Sequence, residues 1–221
     1  RANKLQSLQP RGTLLLRATT QKARTNTLQM QSRKALSDEE REQYREKLRQ
    51  NMKEGTFGER GEFFVALQVF FTALVFVGPA FEESVQGPLG IVAGLALCAT
   101  GLGLGYAGSM DLGSSMTPWP KPVSDNELQT TGSFGVARHP IYGGSILLGL
   151  GLSLLSHSFE RLLFTIVLYI VMDLKAAKEE EWLAQVHPGY KEYQQHVPKL
   201  LPRDAIKVIE LAKDIVKSKT A

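Results

Sequence analysis

TGSFGVARHPIY, residues 131–142, stands directly before a long apolar segment. Ionisable side chains at the mouth of an apolar helix are costly, so they tend to face a cavity or a partner and to have a function. A second polar cluster, KAAKEEEWL at residues 175–183, follows the next apolar segment. The pattern predicts that the two clusters meet at one membrane surface and form a single site.

Four apolar segments predict an all-α fold, a polytopic membrane bundle with about four transmembrane helices. They cover residues 63–81, 88–109, 141–157 and 162–172. The fourth is short and runs on without a breaker to Val186, so we expect its helix to extend into a soluble helix. In the second segment, glycines 90, 94, 101, 105 and 108 share one helical face, which favours close helix packing in a membrane.

The chain divides into four predicted parts: residues 1–36, 37–60, 61–202 and 203–221. Residues 1–37 contain no Asp or Glu and are rich in Arg, Ser and Thr, which is typical of an organelle transit peptide or of a disordered basic tail. Ser37 and Glu40 form a capping-box pattern, which predicts a polar helix from there to Lys53. Residues 203–219 have apolar residues on one face and lysines elsewhere, which predicts an amphipathic helix.

Cations flank the apolar segments unevenly, and this sets the orientation. Lys47, Arg49, Lys53 and Arg60 precede the first segment, and lysines follow the fourth. The loop of residues 82–87 contains no cation. The positive-inside rule then places both termini on the cytosolic side or its organellar equivalent. The same topology puts both polar clusters on that side.

Charge and cysteine content exclude several classes of function. The chain has 221 residues, a formal net charge of +4 and one cysteine, Cys98. A single cysteine excludes an intrachain disulfide and a cysteine-rich metal site, and the histidines lack metal-ligand spacing, so we expect no metal. The excess cations lie largely at the chain ends and no basic patch is interleaved with aromatics, so we expect no nucleic-acid partner.

Several motifs together resemble one enzyme family. They are LQTTGSFGVARHPIYGG at residues 128–144, KEEEWL at 178–183 and YKEYQQHVPKLLP at 190–202. The set is similar to the isoprenylcysteine carboxyl methyltransferase family and its phospholipid N-methyltransferase relatives. GERGEFFVALQ at 58–68 and TPWPKP at 117–122 resemble the cyanobacterial and plastid subgroup. The resemblance covers about residues 55–202 and implies a membrane methyltransferase with S-adenosylmethionine (SAM) as cofactor.

The resemblance also implies which residues bind the cofactor and the substrate. The cofactor-binding residues would be Asn126, Glu127, Leu128, Gln129, Phe134, His139, Pro140, Ile141, Tyr142 and Glu179. Lys175 stands where the family has a substrate-binding Arg, and it offers a point charge in place of a bidentate fork. Phe134 stands where the family has Tyr. The spacing after the acids is one residue shorter than in the family, so the choice among Glu179, Glu180 and Glu181 stays open.

The chemistry of methyl transfer agrees with these roles. An acid can hold the ammonium group of SAM, and the faces of Phe134 and Tyr142 can attract its sulfonium. A carboxylate acceptor needs no base, whereas an amine acceptor needs one, and Glu180 or His139 can serve. The catalytic group stays open between Arg138 and Glu180.

The same residues have simpler interpretations. Arg138 and His139 can be a polar pair at a helix start at headgroup level, Lys175 and Glu179 a surface ion pair, and the three acids a solvated face. Two alternatives to a methyltransferase therefore stay open. One is a membrane reductase or isomerase of similar helical shape, and the other is a non-catalytic assembly protein.

The acceptor and the location are inferred from the resemblance and the transit-like start. We expect an integral protein of a plastid (chloroplast) membrane whose active site faces the stroma. The partners would be the lipid bilayer and a lipophilic small-molecule acceptor, either an isoprenylcysteine-like carboxylate or a lipid amine. The sequence leaves the oligomeric state undetermined.

Overall fold

Helices make up most of the protein in a computed structural model, which describes residues 37–78, 87–123, 127–202, 211, 213 and 214. The helices are α1 (Asp38–Lys53), α2 (Glu62–Val77), α3 (Pro88–Leu112), α4 (Pro140–Leu155), α5 (Phe159–Val186) and α6 (Tyr190–His196). The transit-like residues 1–36, loop residues 82–86, Asn126 and all but three residues of the expected C-terminal amphipathic helix lie outside the described residues.

Glycines allow α3 and α4 to lie in backbone contact. A Cβ atom on Gly101 would stand 2.6 Å from the carbonyl oxygen of Gly144, and one on Gly151 would stand 2.8 Å from the carbonyl oxygen of Gly94. A Cβ atom on Gly108 would stand 2.9 Å from Cγ of Pro140, at the start of α4. The glycine face predicted for the second apolar segment is therefore confirmed at these positions, and it brings the start of α4 against the end of α3.

A second packing layer joins α2, α4 and α5. Its buried side chains are Val75, Ile146, Leu168, Met172, Ala176 and Leu200. Leu200 comes from the chain after α6, so the C-terminal part of the protein contributes to the same core. Gly143 in α4 has no room for a side chain because a Cβ atom would collide with the carbonyl group of Leu200.

Large apolar side chains cover the outside of the bundle. Phe70, Leu95 and Ile170 are each at least half exposed, and they come from α2, α3 and α5. A helix that is apolar all round is typical of a membrane span. By length and composition, the helix of residues 88–115 is able to cross a membrane, whereas α2 and α4 are apolar but shorter. The all-helical architecture agrees with the prediction for the described residues, and the number of four spans stays a prediction.

Some predicted boundaries shift in the structure. The third segment is helical from Pro140 to Leu155, against the expected residues 141–157. Proline is well suited to the first position of a helix because it needs no amide donor there. The fourth helix begins at Phe159, where Ser158 caps it, and continues to Val186 as predicted.

Helix α1 packs against the loop that follows α3. Its capping box is confirmed, since Ser37 and Glu40 exchange both hydrogen bonds. Asn51 is buried and donates hydrogen bonds to the carbonyl oxygens of Ser114 (2.7 Å) and Met116 (3.0 Å). Trp119 donates from its indole nitrogen to the carbonyl oxygen of Met52 at 3.0 Å. The polar helix thus fixes the 113–119 loop, which borders the site described next.

Candidate active site

Backbone hydrogen bonds hold Arg138 and His139 in place, in addition to the contacts of their side chains. The amide of Arg138 donates to the carbonyl oxygen of Pro198 (2.8 Å), and the amide of His139 donates to that of Lys199 (3.0 Å). We call residues 197–200 the C-terminal strap. Because Pro140 begins α4, these two backbone bonds set the direction in which both polar side chains leave the helix start.

Glu180 of α5 accepts hydrogen bonds from three side chains. Arg138 donates from Nε to Oε1 at 2.8 Å and from Nη2 to Oε2 at 3.3 Å. The Nε2 atom of His139 lies 3.1 Å from Oε1. Gln194 of α6 donates to Oε2 at 2.8 Å. The two clusters predicted to meet are therefore in direct contact, and the carboxylate of Glu180 is fully engaged within the protein.

The partners of Glu180 keep it ionised. Burial favours its protonated form, but the hydrogen bonds and charges of His139 and Arg138 outweigh this effect and lower the pKa of the carboxyl to about 2. A carboxylate with so low a pKa is a poor proton acceptor near neutral pH. The structure thus favours a structural role for Glu180 over the role of general base that the sequence left open.

The low pKa of Glu180 predicts a pH dependence of stability. The pKa of Glu180 in the folded protein lies below the ordinary value of 4.5, so the ionised carboxyl stabilises the fold fully above about pH 4.5. This contribution, roughly 2–3 kcal/mol, is lost as the pH falls toward 2. The free energies of unfolding of wild type and Glu180→Gln, measured in detergent, should differ most at neutral pH. This difference should become smaller between pH 5 and 2. A gap independent of pH would contradict the prediction.

Glu179 has a different environment from its neighbour. It accepts one hydrogen bond, from the hydroxyl of Tyr142 at 2.8 Å, and lies 3.7 Å from Nδ1 of His139. About a quarter of its side chain is exposed. Glu181 is largely exposed and pairs with Lys178 at 2.6 Å. Of the three consecutive acids, Glu179 combines partial burial with free acceptor capacity.

A cavity of about 60 Å³ lies beside Glu179, and it gathers most of the predicted site residues. Its lining includes Glu127, Leu128, Gln129, Phe134, Arg138, His139 and Glu179, together with Trp119, Tyr190 and Tyr193. A larger cavity of about 390 Å³ is lined by Leu97, Ser153 and Phe159, at the other end of α4. The larger cavity contains none of the predicted site residues in its lining.

Lys175, expected to bind substrate, is held inside the bundle. It is 2% exposed and donates to Oε1 of Gln68 (2.6 Å) and to the carbonyl oxygen of Pro118 (3.0 Å). Its ammonium also lies 4.8 Å from the centre of the Tyr142 ring. The ring of His139 stacks on the same Tyr142 ring, with the two ring centroids 5.3 Å apart. Lys175 therefore supports the back of the site and is absent from the cavity lining given above.

Three other predicted cofactor-binding residues, Pro140, Ile141 and Tyr142, shape the site without lining the cavity. Tyr142 donates a hydrogen bond to Glu179 and stacks on His139. Pro140 is buried at the first turn of α4, and Ile141 packs against Gly108 of α3. Both therefore determine how α4 meets α3. Asn126 lies outside the described residues.

The comparison with known families bears directly on this region. Residues 89–189 match the family model of the phospholipid methyltransferases. The match supports a membrane methyltransferase. No curated protein matches the chain.

The phospholipid methyltransferase match includes the central contacts of the site and omits others. It runs from the start of α3 through Arg138, His139, Glu179 and Glu180 to the residue before Tyr190. Gln194 and the C-terminal strap lie beyond its end. The contacts that hold Arg138 and Glu180 from the C-terminal side, made by Gln194 and residues 197–199, therefore come from outside the matched residues.

Asp111 is a site residue that the sequence reasoning missed, and it lies inside the phospholipid methyltransferase match. Its Oδ2 accepts from the amide and the hydroxyl of Ser133, each at 2.7 Å. Gly132, at φ +63°, leaves the room that this carboxylate needs. Asp111 thereby holds the turn that carries Phe134 to the cavity. It is the single charged residue in the sequence of α3, and that isolation was a usable signal.

Proposed function

We propose that the protein is a SAM-dependent membrane methyltransferase that transfers a methyl group to a lipophilic acceptor. The observation that carries the proposal is the contrast between the paired acids. The carboxylate of Glu180 accepts hydrogen bonds from Arg138, His139 and Gln194. Glu179 keeps free acceptor capacity at a cavity lined by aromatic rings. The phospholipid methyltransferase match supports the same reaction class.

The wall of the cavity fits the chemistry of SAM. When bound, SAM supplies an activated methyl group on a positively charged sulfur. Glu179 would hold its ammonium group, and the rings of Phe134, Tyr190 and Tyr193 offer the faces that attract a sulfonium. The volume of about 60 Å³ is well below the roughly 300 Å³ of small-molecule pockets. Binding of SAM therefore requires the rim of the cavity, including Glu127–Gln129 and Trp119, to move outward.

The hydrogen bonding of the nearby cations favours a lipid amine as the acceptor. Arg138 donates to Glu180 and to the carbonyl oxygens of Gln194 and Val197. Lys175 donates to Gln68 and Pro118. Arg138 and Lys175 are thus committed to protein partners, whereas an isoprenylcysteine-like carboxylate needs a cation of its own. We keep the carboxylate as the second candidate.

An amine acceptor must lose a proton, and His139 is the group we propose to accept it. Glu180 is ionised and can only accept hydrogen bonds, so a neutral His139 carries its hydrogen on Nε2. Nδ1 is then free to take up a proton, and it lies toward Glu179 at the cavity. In this scheme Arg138 and Glu180 position the imidazole and do not react themselves.

We also propose a plastid membrane location with the site facing the stroma. The support is the acid-free, Arg-rich composition of residues 1–37 and the resemblance of the 58–68 and 117–122 motifs to the plastid subgroup. Expression of the full precursor fused to a fluorescent protein would test it, since a location outside plastids would overturn this part of the proposal alone.

Calorimetric titration of SAM into the purified protein in detergent tests the cofactor. Glu179→Gln is expected to weaken binding about 10- to 100-fold, because it removes a charged hydrogen-bond acceptor from the ammonium group. The matched control is Glu181→Gln, two residues away, exposed and paired with Lys178, and it should bind like wild type. Labelled methyl should then appear on a lipid with a primary-amine headgroup more readily than on an isoprenylcysteine analogue.

The titration also separates the alternatives. A folded wild type that binds no SAM would overturn the methyltransferase proposal and leave the reductase, isomerase and assembly functions. Equal losses in the Glu179 and Glu181 variants would overturn the assignment of the ammonium site while leaving the cofactor in place.

A further inference from the structure

Tyr190 is buried without a hydrogen bond for its hydroxyl. It begins α6, is 1% exposed, and its hydroxyl oxygen has no hydrogen-bond partner among the described residues. Its neighbour one turn later behaves differently: the hydroxyl of Tyr193 donates to the carbonyl oxygen of Phe134 at 2.6 Å. Since buried polar groups are almost always paired, the Tyr190 hydroxyl lacks a partner that the bound state can supply.

The surroundings of Tyr190 show what kind of partner this is. The residue lines the same cavity as Arg138, His139 and Glu179. Burial, reinforced by the nearby charge of Glu180, raises the pKa of the phenol, so the hydroxyl keeps its proton. A protonated phenol next to carboxylates acts as a donor, and its missing partner is therefore an acceptor atom on a ligand.

The cavity thus offers two complementary groups with free hydrogen-bonding capacity. Glu179 can accept from a cation, and Tyr190 can donate to an anion. An α-amino acid presents an ammonium and a carboxylate on one carbon, so it matches this pair. SAM contains such an amino-acid group, whereas a simple lipid amine does not.

We propose that the Tyr190 hydroxyl donates a hydrogen bond to the α-carboxylate of SAM while Glu179 holds its ammonium. The inference rests on the proposed function and adds a binding residue to it. It also assigns the amino-acid end of the cofactor to the part of the cavity where α5 meets α6. Tyr190 lies one residue beyond the phospholipid methyltransferase match.

Two ligands and two variants test the proposal by calorimetry. S-adenosylhomocysteine has the amino-acid group, and 5′-methylthioadenosine lacks it. Tyr190→Phe should weaken binding of S-adenosylhomocysteine about tenfold and leave 5′-methylthioadenosine unchanged. Without ligand, its melting temperature should equal or exceed that of wild type, because the removed hydroxyl had no partner. Tyr193→Phe, which loses a formed bond, should melt at a lower temperature.

The outcomes separate this inference from the proposed function. If wild type binds neither ligand nor SAM, the methyltransferase proposal fails. If wild type binds and Tyr190→Phe binds S-adenosylhomocysteine equally well, or weakens both ligands alike, the Tyr190 assignment is wrong and the function stands. A lower melting temperature of ligand-free Tyr190→Phe would also overturn it, since the hydroxyl would then have a structural partner.

Discussion

Replacement of Arg138 by alanine is expected to lower the free energy of unfolding by about 3–5 kcal/mol, because it leaves the buried Glu180 without its cation. The side chains of Arg138 and Glu180 are 9% and 8% exposed, so water cannot replace the lost partner. The variant also loses the hydrogen bonds to the carbonyl oxygens of Gln194 and Val197. Chemical unfolding in detergent, followed by circular dichroism, measures the change.

An exposed ion pair on α5, the helix that carries Glu180, provides the control. Lys178 and Glu181 are 44% and 60% exposed, and Lys178→Ala should cost about 0.2–1 kcal/mol at most. If Arg138→Ala were no more destabilising than this control, the contacts between Arg138 and Glu180 would not hold the site together. Binding of SAM by Arg138→Ala at a temperature where it stays folded would then have to be measured separately.

Gly101→Ala is expected to destabilise the protein by about 3 kcal/mol or more. The added methyl group would stand 2.6 Å from the carbonyl oxygen of Gly144 and 2.7 Å from the amide nitrogen of Leu148. Both obstacles are backbone atoms of a helix, so no side-chain rotation can relieve the overlap and α3 must separate from α4. Overpacking of this kind typically costs about 1–3 kcal/mol, occasionally more, and backbone obstacles belong to the severe cases.

Gly103 makes a sharp comparison because it lies half a turn away on the same helix. A Cβ atom there would meet nothing within 4 Å, so Gly103→Ala should be neutral or stabilise the helix by about 1 kcal/mol. Melting temperatures of the two variants in one detergent give the measurement. Equal effects would mean that α3 and α4 are not in backbone contact at Gly101.

Much of the fold can be read from the sequence because its signals are local. Ser37 and Glu40 predict the start of α1 through one capping pattern, and long uncharged runs predict α2, α3 and α4. The docking of α1 cannot be predicted in this way. Asn51 looks like any polar residue of an exposed helix, and its burial against Ser114 depends on a contact between segments 63 residues apart.

The sequence predicts that the site residues form a cluster, but it does not predict which acid contacts which partner. Topology alone brings Arg138 and His139 to the same side as the acids. Consecutive helical residues, however, point about 100° apart, so the sequence cannot say whether Glu179 or Glu180 faces the guanidinium. Only the packing of α5 against the start of α4 decides this. The burial of Lys175 cannot be predicted from the sequence for a similar reason, because its contact with Gln68 joins two helices distant in the chain.

The C-terminal strap has a consequence for the order in which the protein is made. Arg138 and His139 leave the ribosome about sixty residues before Pro198 and Lys199, whose carbonyl oxygens hold their amides. The two amides therefore stay without these acceptors until residues 198 and 199 have been added to the chain. The orientation of Arg138 and His139 at the start of α4 thus depends on the strap folding back, and a chain that ends before the strap would lack it.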